Sequence, residues 1–188
     1  MKRAIMLALT ASCTISAIAA SETYVVDGSH TFPSFSYTHL GFSTQQSRFD
    51  KTAGKITLDR LAKTGSLDIS IDTKSVNTSS ELFNGHLKGE DYFNAEKFPT
   101  ITFKSSNFKF EGDKLASING DLTIKGVTKP VTLAVTSFNC APHPFTKKEM
   151  CGANASTKIK RSEFNAGKNA PAVSDEVTLN IVVEAVKE

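Results

Sequence analysis

The chain contains no tryptophan, three cysteines and six prolines in 188 residues, and neither sign of charge dominates, since its formal net charge is +3. A chain this close to neutrality lacks the basic surface that nucleic-acid binding requires, so we expect no nucleic-acid partner. Beyond the first twenty residues it also lacks an apolar run of about 18 residues, so no later helix is predicted to span a membrane.

The first twenty residues have a composition of their own. Lys2 and Arg3 precede an apolar stretch that ends near Ile18, and Ala17-Ile18-Ala19 fits the small-x-small pattern of signal-peptidase sites. We therefore predict a cleaved secretory signal at residues 1–19 and one mature domain at residues 20–188. Cleavage would remove two cations and no acid, which lowers the net charge from +3 to +1.

Two cysteines, Cys140 and Cys151, remain after that cleavage. An even pair in an exported protein predicts a disulfide. The alternative, a zinc site, needs further ligands, and His143 is the only histidine between the two cysteines. We predict the disulfide, and no metal site or cofactor.

Most of the mature sequence alternates between apolar and polar residues, as strands do when they bury one face. The clearest segments are Ser66–Asp72, Val131–Val135 and Glu176–Glu184. Asn119-Gly120 fits either a hairpin turn or a kink inside one strand from Ala116 to Ile124. The better turn at Lys125-Gly126 favours the kink.

One segment predicts a helix. Thr78-x-x-Glu81 is a capping box with Thr78 as N-cap, and Gly89 suits the position after the last turn. Gly85 in its middle costs about 1 kcal/mol relative to alanine, so this helix needs tertiary support. Many short strands around one helix indicate a β-sandwich or an up-and-down barrel.

The sequence has no Gly-x-Ser-x-Gly elbow, phosphate-binding glycine-rich loop or His-Glu-x-x-His motif, so we predict no enzyme. Asp27 precedes His30 by three residues, and we interpret this pair as a hydrogen bond that closes a turn. On an extended strand Phe35, Tyr37 and His39 share one face. That face fits either a core strand or the wall of an apolar ligand cavity with a polar group near its mouth.

Longer motifs follow one another along almost the whole mature chain. They are Asp27–His30, Phe35–Ser43, His86–Leu87, Asp91–Phe103, Gly120–Leu133 and Asp175–Ile181. Together they resemble the YceI-like family, most specifically in the Phe-Pro-Thr-Ile-Thr-Phe and Gly-Val-Thr-Lys-Pro-Val blocks. Two positions depart from the family's pattern: Asn84 stands where an acidic residue is usual, and Ser47 stands where glycine is usual.

The resemblance implies an all-β fold: an eight-stranded antiparallel, lipocalin-like β-barrel with a short helical insertion from Ser79 to Lys88. It also implies a periplasmic binding protein, a carrier or store for a polyisoprenoid or an isoprenoid-quinone type lipid. Transient contact with membranes and a homodimer are further expectations. The predicted ligand-binding residues are Phe35, Tyr37, His39, Leu40, His86, Phe93 and Phe103.

Two other functions stay open at this point. An enzyme acting on an isoprenoid or quinone would be supported by a buried Asp/His pair that faces the cavity. A stress-protective or interaction protein with an incidental cavity would be supported by a barrel interior packed solid with side chains.

Overall fold

A computed structural model describes residues 21–188, which form eleven strands and one α-helix. The strands are β1 (Glu22–Val26), β2 (Ser34–His39), β3 (Ser43–Phe49), β4 (Thr52–Asp59), β5 (Thr64–Asp72), β6 (Val76–Asn77), β7 (Thr100–Glu111), β8 (Lys114–Ile124), β9 (Val127–Pro142), β10 (Glu149–Lys160) and β11 (Glu176–Lys187). The helix α1 spans Glu81–Lys88, and 3₁₀ turns lie at Thr73–Ser75 and Arg161–Phe164. The predicted signal at residues 1–19 lies outside the described residues. Within residues 21–188, no helix has the length and apolar character needed to cross a membrane.

The strands close into a ring of antiparallel neighbours. The ring runs β1-β4-β5-β7-β8-β9-β10-β11, and β1 pairs with β11 to complete it. β2 pairs with an earlier part of β11 and so occupies the same position around the barrel as β1. In the same way β3 shares the position of β4, and β6 shares the position of β5. Eleven strands therefore fill eight positions, which confirms the predicted eight-stranded antiparallel barrel.

The alternation in the sequence sets which side chains enter the barrel. Leu67, Ile69 and Ile71 of β5 line its interior, as the period of two predicts. Asp68, between them, is exposed and pairs with Lys104 of β7 on the outer surface, with 2.8 Å between nitrogen and oxygen. The wall is therefore apolar inside and polar outside.

Gly120 marks a close approach inside the barrel. Asn119-Gly120 lies within β8, so the segment is a single strand as predicted and the hairpin turn is not formed. Gly120 shares the inward register of Ile118 and Leu122, and the ring of Phe103 occupies the space of its missing side chain. A Cβ at this position would lie 2.7 Å from Phe103 Cζ and 2.5 Å from the backbone oxygen of Lys104.

The helix begins later than the capping box predicts. α1 starts at Glu81 with Ser80 as its N-cap, so the assignment of Thr78 as N-cap is wrong. Thr78 instead donates its backbone N–H and its hydroxyl to the side-chain oxygen of Asn84, at 2.8 and 3.0 Å. Ser79 turns the chain at that point with a φ of 63°. The amide at Asn84 thus ties the helix to the end of β6.

One end of the barrel is sealed by Tyr24, whose side chain is fully buried. Its hydroxyl lies 2.8 and 2.9 Å from carboxylate oxygens of Glu22 and Glu149, which share its single proton. Lys187 and Arg60 pair with the same two carboxylates. Burial and the adjacent carboxylates raise the pKa of Tyr24 far above its ordinary value, so the phenol keeps its proton. We call this side the sealed end.

The sealed end also carries the disulfide. Cys140 and Cys151 are directly paired residues of β9 and β10, with their Cα atoms 4.1 Å apart, and they are bonded to each other as predicted. Cys151 packs in a small buried cluster with Tyr24, Leu58 and Ala185. The covalent link and the ion pairs therefore reinforce the same region.

Two glycine-to-alanine substitutions are expected to have opposite effects on stability. Gly120→Ala forces Phe103 and the β7 backbone apart and should lower the free energy of unfolding by roughly 1–3 kcal/mol. Gly85→Ala meets no atom within 4 Å and should raise it by about 0.5–1 kcal/mol, because alanine favours the helix. Urea unfolding measures both, and a stable Gly120→Ala protein would contradict the close approach at β8.

Acid should weaken the sealed end through Glu22. Hydrogen bonds from Lys187 and Tyr24 lower the pKa of Glu22 in the folded protein below its ordinary 4.5. The carboxylate's contribution is therefore complete above about pH 4.5 and is lost as the pH falls through the lower folded pKa. Glu22→Gln should melt at a lower temperature than the unmodified protein at pH 7. This difference in melting temperature, the gap, should shrink at acidic pH. Glu111→Gln, an exposed position at the same end, is the control; an unchanging gap would refute the assignment.

Candidate ligand-binding site

The barrel encloses an apolar cavity of about 400 Å³. Its wall is made by inward-facing residues of the long strands, chiefly Ile101 and Phe103 of β7, Leu122 and Ile124 of β8, Leu133 and Val135 of β9, Ala155 and Ile159 of β10, and Leu179 and Ile181 of β11. A cavity of this size and apolarity is typical of small-molecule sites. The interior is therefore not packed solid with side chains.

The cavity is long and blind. On β11 its wall runs from Val177 to Val183, which at about 3.3 Å per residue is about 20 Å measured along the tilted strand. Beyond Val183 the chain enters the small cluster around Tyr24, which closes the sealed end. The opposite end, where α1 and the segment 161–175 lie, is the mouth. A slender molecule would have to enter and leave at the mouth.

An aromatic cluster narrows the cavity near α1. Phe35, Phe49 and Phe93 meet with ring centroids 5.4 to 5.8 Å apart, and the plane of the Phe93 ring is steeply inclined, by 78° and 67°, to those of Phe35 and Phe49. Phe93 is positioned by the turn after α1, where its backbone N–H bonds to Leu87 O at 3.0 Å. The segment after the helix thus supplies part of the wall, as a helical insertion over a barrel should.

Polar groups line the cavity at its mouth. They are Tyr37, His39, His86, Tyr92, Arg161 and Asn169. Asn169 donates its side-chain N–H to the Tyr92 hydroxyl at 3.0 Å. Burial raises the pKa of Tyr37, with the nearby Tyr92 adding to the rise and Arg161 opposing it, so the Tyr37 phenol is neutral at physiological pH. The mouth therefore offers hydroxyl, amide and imidazole groups for hydrogen bonding.

Arg161 carries the only permanent charge among the described lining residues. Its guanidinium donates to four backbone carbonyls of the following segment: Ala166, Lys168, Val173 and Ser174. Through these four hydrogen bonds, residues 161–175 wrap around the guanidinium. One of the five N–H groups of the guanidinium donates to none of these carbonyls. Arg161 therefore shapes the mouth and puts a positive charge beside the cavity.

Six of the seven predicted ligand-binding residues lie together on the cavity wall. They are Phe35, Tyr37, His39, His86, Phe93 and Phe103. Leu40 does not join them: it lies in the turn between β2 and β3 with a φ of 53°, and 51% of it is exposed. The turn breaks the alternation that runs from Phe35 to His39, and this directs Leu40 away from the interior.

Sequence reasoning missed three polar residues of the mouth: Tyr92, Arg161 and Asn169. Tyr92 belongs to the motif that starts at Asp91, and that motif was the available signal. Arg161 and Asn169 lie in an irregular segment whose order depends on backbone carbonyls, so no local pattern marks them.

The Asp27/His30 pair lies outside the cavity wall. His30 Nδ1 is 2.8 Å from Asp27 Oδ2, and Ser29 Oγ donates to Asp27 Oδ1 at 2.6 Å. Hydrogen bonds from Ser29 and His30 lower the pKa of Asp27 to about 2, and Asp27 raises the pKa of His30. The His30 side chain is 64% exposed. The pair closes a surface turn, as interpreted from the sequence.

Two clusters in the described residues group three metal-capable side chains within 4.8 Å. In the first, Cys140 and Cys151 are bonded to each other, so their sulfurs are not thiolate ligands. In the second, Asp27 and His30 are already paired with each other beside Glu184 on the outer surface. Neither cluster faces the cavity.

Comparison with known proteins gives consistent matches over the barrel. The profile of the YceI-like domain matches residues 24–185. Protein YceI of Escherichia coli O157:H7 is 37% identical over 174 residues, or 92% of this chain and 90% of that protein. The crystal structure of BcnA from Burkholderia cenocepacia superposes with a TM-score of 0.73 at 27% identity, over 85% of this chain and 98% of BcnA.

A more distant structure shares the fold. A polyisoprenoid binding domain from Saccharophagus degradans superposes with a TM-score of 0.65 at 18% identity, over 88% of this chain and 98% of that domain. With the profile matched across the barrel and a 37% identical relative covered almost end to end, this chain belongs to the YceI-like family.

Proposed function

We propose that this protein is an exported carrier or store that holds one polyisoprenoid or isoprenoid-quinone type lipid in the barrel cavity. The observation that carries the proposal is the asymmetry of the cavity. Its charged, phenol, imidazole and amide groups lie at the mouth, whereas the rest of its described wall is hydrocarbon apart from the hydroxyls of Thr31, Ser34 and Thr52. An amphiphile with a long apolar tail and one polar end has the same asymmetry. Its tail would lie towards the sealed end and its head group at the mouth.

Burial of the tail would drive binding. Each CH₂ group that leaves water contributes roughly 0.8 kcal/mol. Ordering a flexible chain and restricting the complex offset part of this gain. A narrow tunnel suits a long, thin tail better than a compact ring system, because contact along its whole length requires a matching cross-section.

The head group would meet hydrogen-bonding partners at the mouth. The neutral Tyr37 hydroxyl can donate or accept, and His39 of β2 and His86 of α1 also line the cavity. A carbonyl, hydroxyl or phosphate oxygen on the lipid would also be attracted by Arg161. The distant relative from Saccharophagus degradans, described as a polyisoprenoid binding domain, supports this class of ligand.

The two alternative functions receive less support. An enzyme was expected to bring an Asp/His pair into the cavity, whereas Asp27 and His30 pair on the outer surface. A protein with an incidental cavity was expected to have a solid interior, whereas this barrel encloses about 400 Å³. Binding without catalysis accounts for a wall that is almost entirely hydrocarbon.

The proposal includes export to the periplasm through cleavage after Ala19 or Ala20. The disulfide between Cys140 and Cys151 supports it, because disulfides persist in oxidising compartments. A carrier of a water-insoluble lipid would also contact membranes transiently to exchange its cargo. The homodimer stays a prediction that the solution mass would test.

One native mass spectrometry experiment tests processing and cargo together. Protein released from the periplasm should have the mass of a chain that begins at residue 20 or 21, plus one bound polyisoprenoid. Ala155→Phe should reduce the bound lipid severalfold, because the ring fills the cavity between Val135 and Ile181. Ala134→Phe, on the exposed outer face of β9, is the matched control and should keep its lipid.

Two results would contradict the carrier proposal. One is the absence of lipid in the unmodified protein together with no rise in melting temperature when a polyprenol is added. The other is equal lipid in Ala155→Phe and Ala134→Phe proteins that both retain the β-sheet circular dichroism spectrum, since the cargo would then lie outside the cavity.

Tyr37→Phe should separate recognition of the head group from burial of the tail. Loss of one neutral hydrogen bond should weaken binding of a long polyprenol by roughly three- to tenfold. Binding of squalene, an isoprenoid hydrocarbon without a head group, should not change. Tyr24→Phe, which removes a hydroxyl at the sealed end, should lower stability and leave polyprenol affinity as it was. Equal losses for polyprenol and squalene would show that the Tyr37 hydroxyl does not meet the head group.

A further inference from the structure

The mouth of the barrel carries large apolar side chains on its outside. Leu40 and Phe42, in the turn between β2 and β3, are 51% and 89% exposed. Leu82 and Phe83, in the first turn of α1, are 69% and 41% exposed. Half of the large hydrophobic residues that the described chain leaves exposed therefore belong to two elements at the mouth end, the β2–β3 turn and α1.

Backbone hydrogen bonds hold the turn between β2 and β3. The Phe42 N–H bonds to His39 O at 3.0 Å, and Leu40 N–H bonds to Ala172 O at 2.9 Å. Gly41 adopts a φ of 74°, which favours glycine and makes the tight turn possible. Leu40 and Phe42 are thus presented by a fixed tip that is anchored to the segment holding Arg161.

The tip is also free of formal charge. No Lys, Arg, Asp or Glu occurs from Thr31 to Ser47 or from Asn169 to Ser174, the two stretches that meet there. In α1 the charged residues are Glu81 and Lys88, at its two ends. The mouth also carries one exposed ion pair, Lys168–Asp91, outside these two stretches and α1. At the sealed end Glu22, Arg60, Glu149 and Lys187 form a network of ion pairs. An uncharged apolar surface can enter a bilayer interface at low cost, whereas ion pairs cannot.

The elements that carry these apolar groups also contribute residues to the cavity wall. His39, directly before the tip, and Phe83 and His86 of α1 all line the cavity. The ring centroids of Phe83 and His86 are 5.9 Å apart. A lipid leaving a bilayer between the tip and α1 would pass from one apolar environment to another without crossing water.

We propose that the turn Leu40–Phe42 and the exposed Leu82 and Phe83 of α1 form a docking surface for a lipid bilayer, the mouth surface, which faces the membrane while cargo is exchanged. The assignment of cargo exchange rests on the proposed lipid-carrier function, but attachment to a bilayer can be measured without any cargo. Because the mouth surface is uncharged at its tip, attachment should depend on apolar insertion and only weakly on salt.

Sedimentation with phosphatidylcholine vesicles tests the mouth surface. The processed protein, which contains the whole barrel, should bind them equally at low and high salt. Leu40→Ser combined with Phe42→Ser should weaken binding roughly tenfold or more, because two apolar side chains no longer enter the interface. The matched control is Leu61→Ser combined with Phe145→Ser, which removes one leucine and one phenylalanine that are 77% and 86% exposed at the sealed end. It should bind like the unmodified protein.

The absence of tryptophan allows a second, independent measurement. Phe42→Trp and Phe145→Trp each create a single fluorescent reporter, at the mouth surface and at the sealed end. Vesicles should shift the emission of Phe42→Trp to shorter wavelength, as expected for an indole that leaves water, and should leave Phe145→Trp unchanged.

Four outcomes would overturn the proposal: no vesicle binding by the unmodified protein, equal losses in the two double variants, loss of binding at high salt, and a blue shift confined to Phe145→Trp. A fifth is a protein that is dimeric when unmodified, becomes monomeric in the Leu40/Phe42 double variant, and binds no vesicles in either form, since a second copy would then cover the mouth surface.

Native mass spectrometry distinguishes the two proposals: lipid in the cavity without vesicle attachment refutes only the docking surface, and attachment without lipid refutes only the carrier.

Discussion

Pairing of β1 with β11 is the constraint on which the rest of the structure depends. Tyr24, Val25 and Val26 pair with the last residues of β11 and turn an open sheet into a closed wall. A closed wall satisfies its backbone hydrogen bonds without a solid core, and eight positions leave room for one slender ligand. The chain then passes from β1 to β2 through the turn at Asp27, whose backbone N–H bonds to Glu184 O at 2.9 Å. The Asp27/His30 pair therefore stabilises the turn that links β1 to β2 in the closed barrel. This role explains why the pair lies outside the cavity.

The two ends of the wall are built from different interactions, and this difference gives the cavity a direction. Tyr24 and its carboxylates close one end with charges that are paired on the outer surface. At the other end Arg161 orders an irregular segment through backbone carbonyls, and hydroxyl and imidazole groups face inwards. An amphiphile fits such a tunnel in one orientation only, because its head group would lose its hydrogen bonds at the sealed end.

The strands were predictable because burial of one face imposes a period of two, and that period is visible in Leu67, Ile69 and Ile71. Barrel closure was not predictable from alternation, which a sandwich shows equally, and needed the family resemblance. Local signals failed where tertiary contacts compete with them. Asn84 draws Thr78 away from the role of N-cap, and the turn at Leu40 interrupts the alternation of β2. Arg161 had no signal because its partners are backbone atoms, which any residue type supplies.

An empty cavity works against stability, because wall residues that face it lack packing partners on one side. The interactions that offset this loss lie away from the mouth, in the Tyr24 cluster and the Cys140–Cys151 disulfide. The mouth is held instead by carbonyls that Arg161 binds whatever side chains the segment carries. Under the proposed function, a bound tail would restore the missing contacts, so occupancy and resistance to unfolding would rise together by mass action.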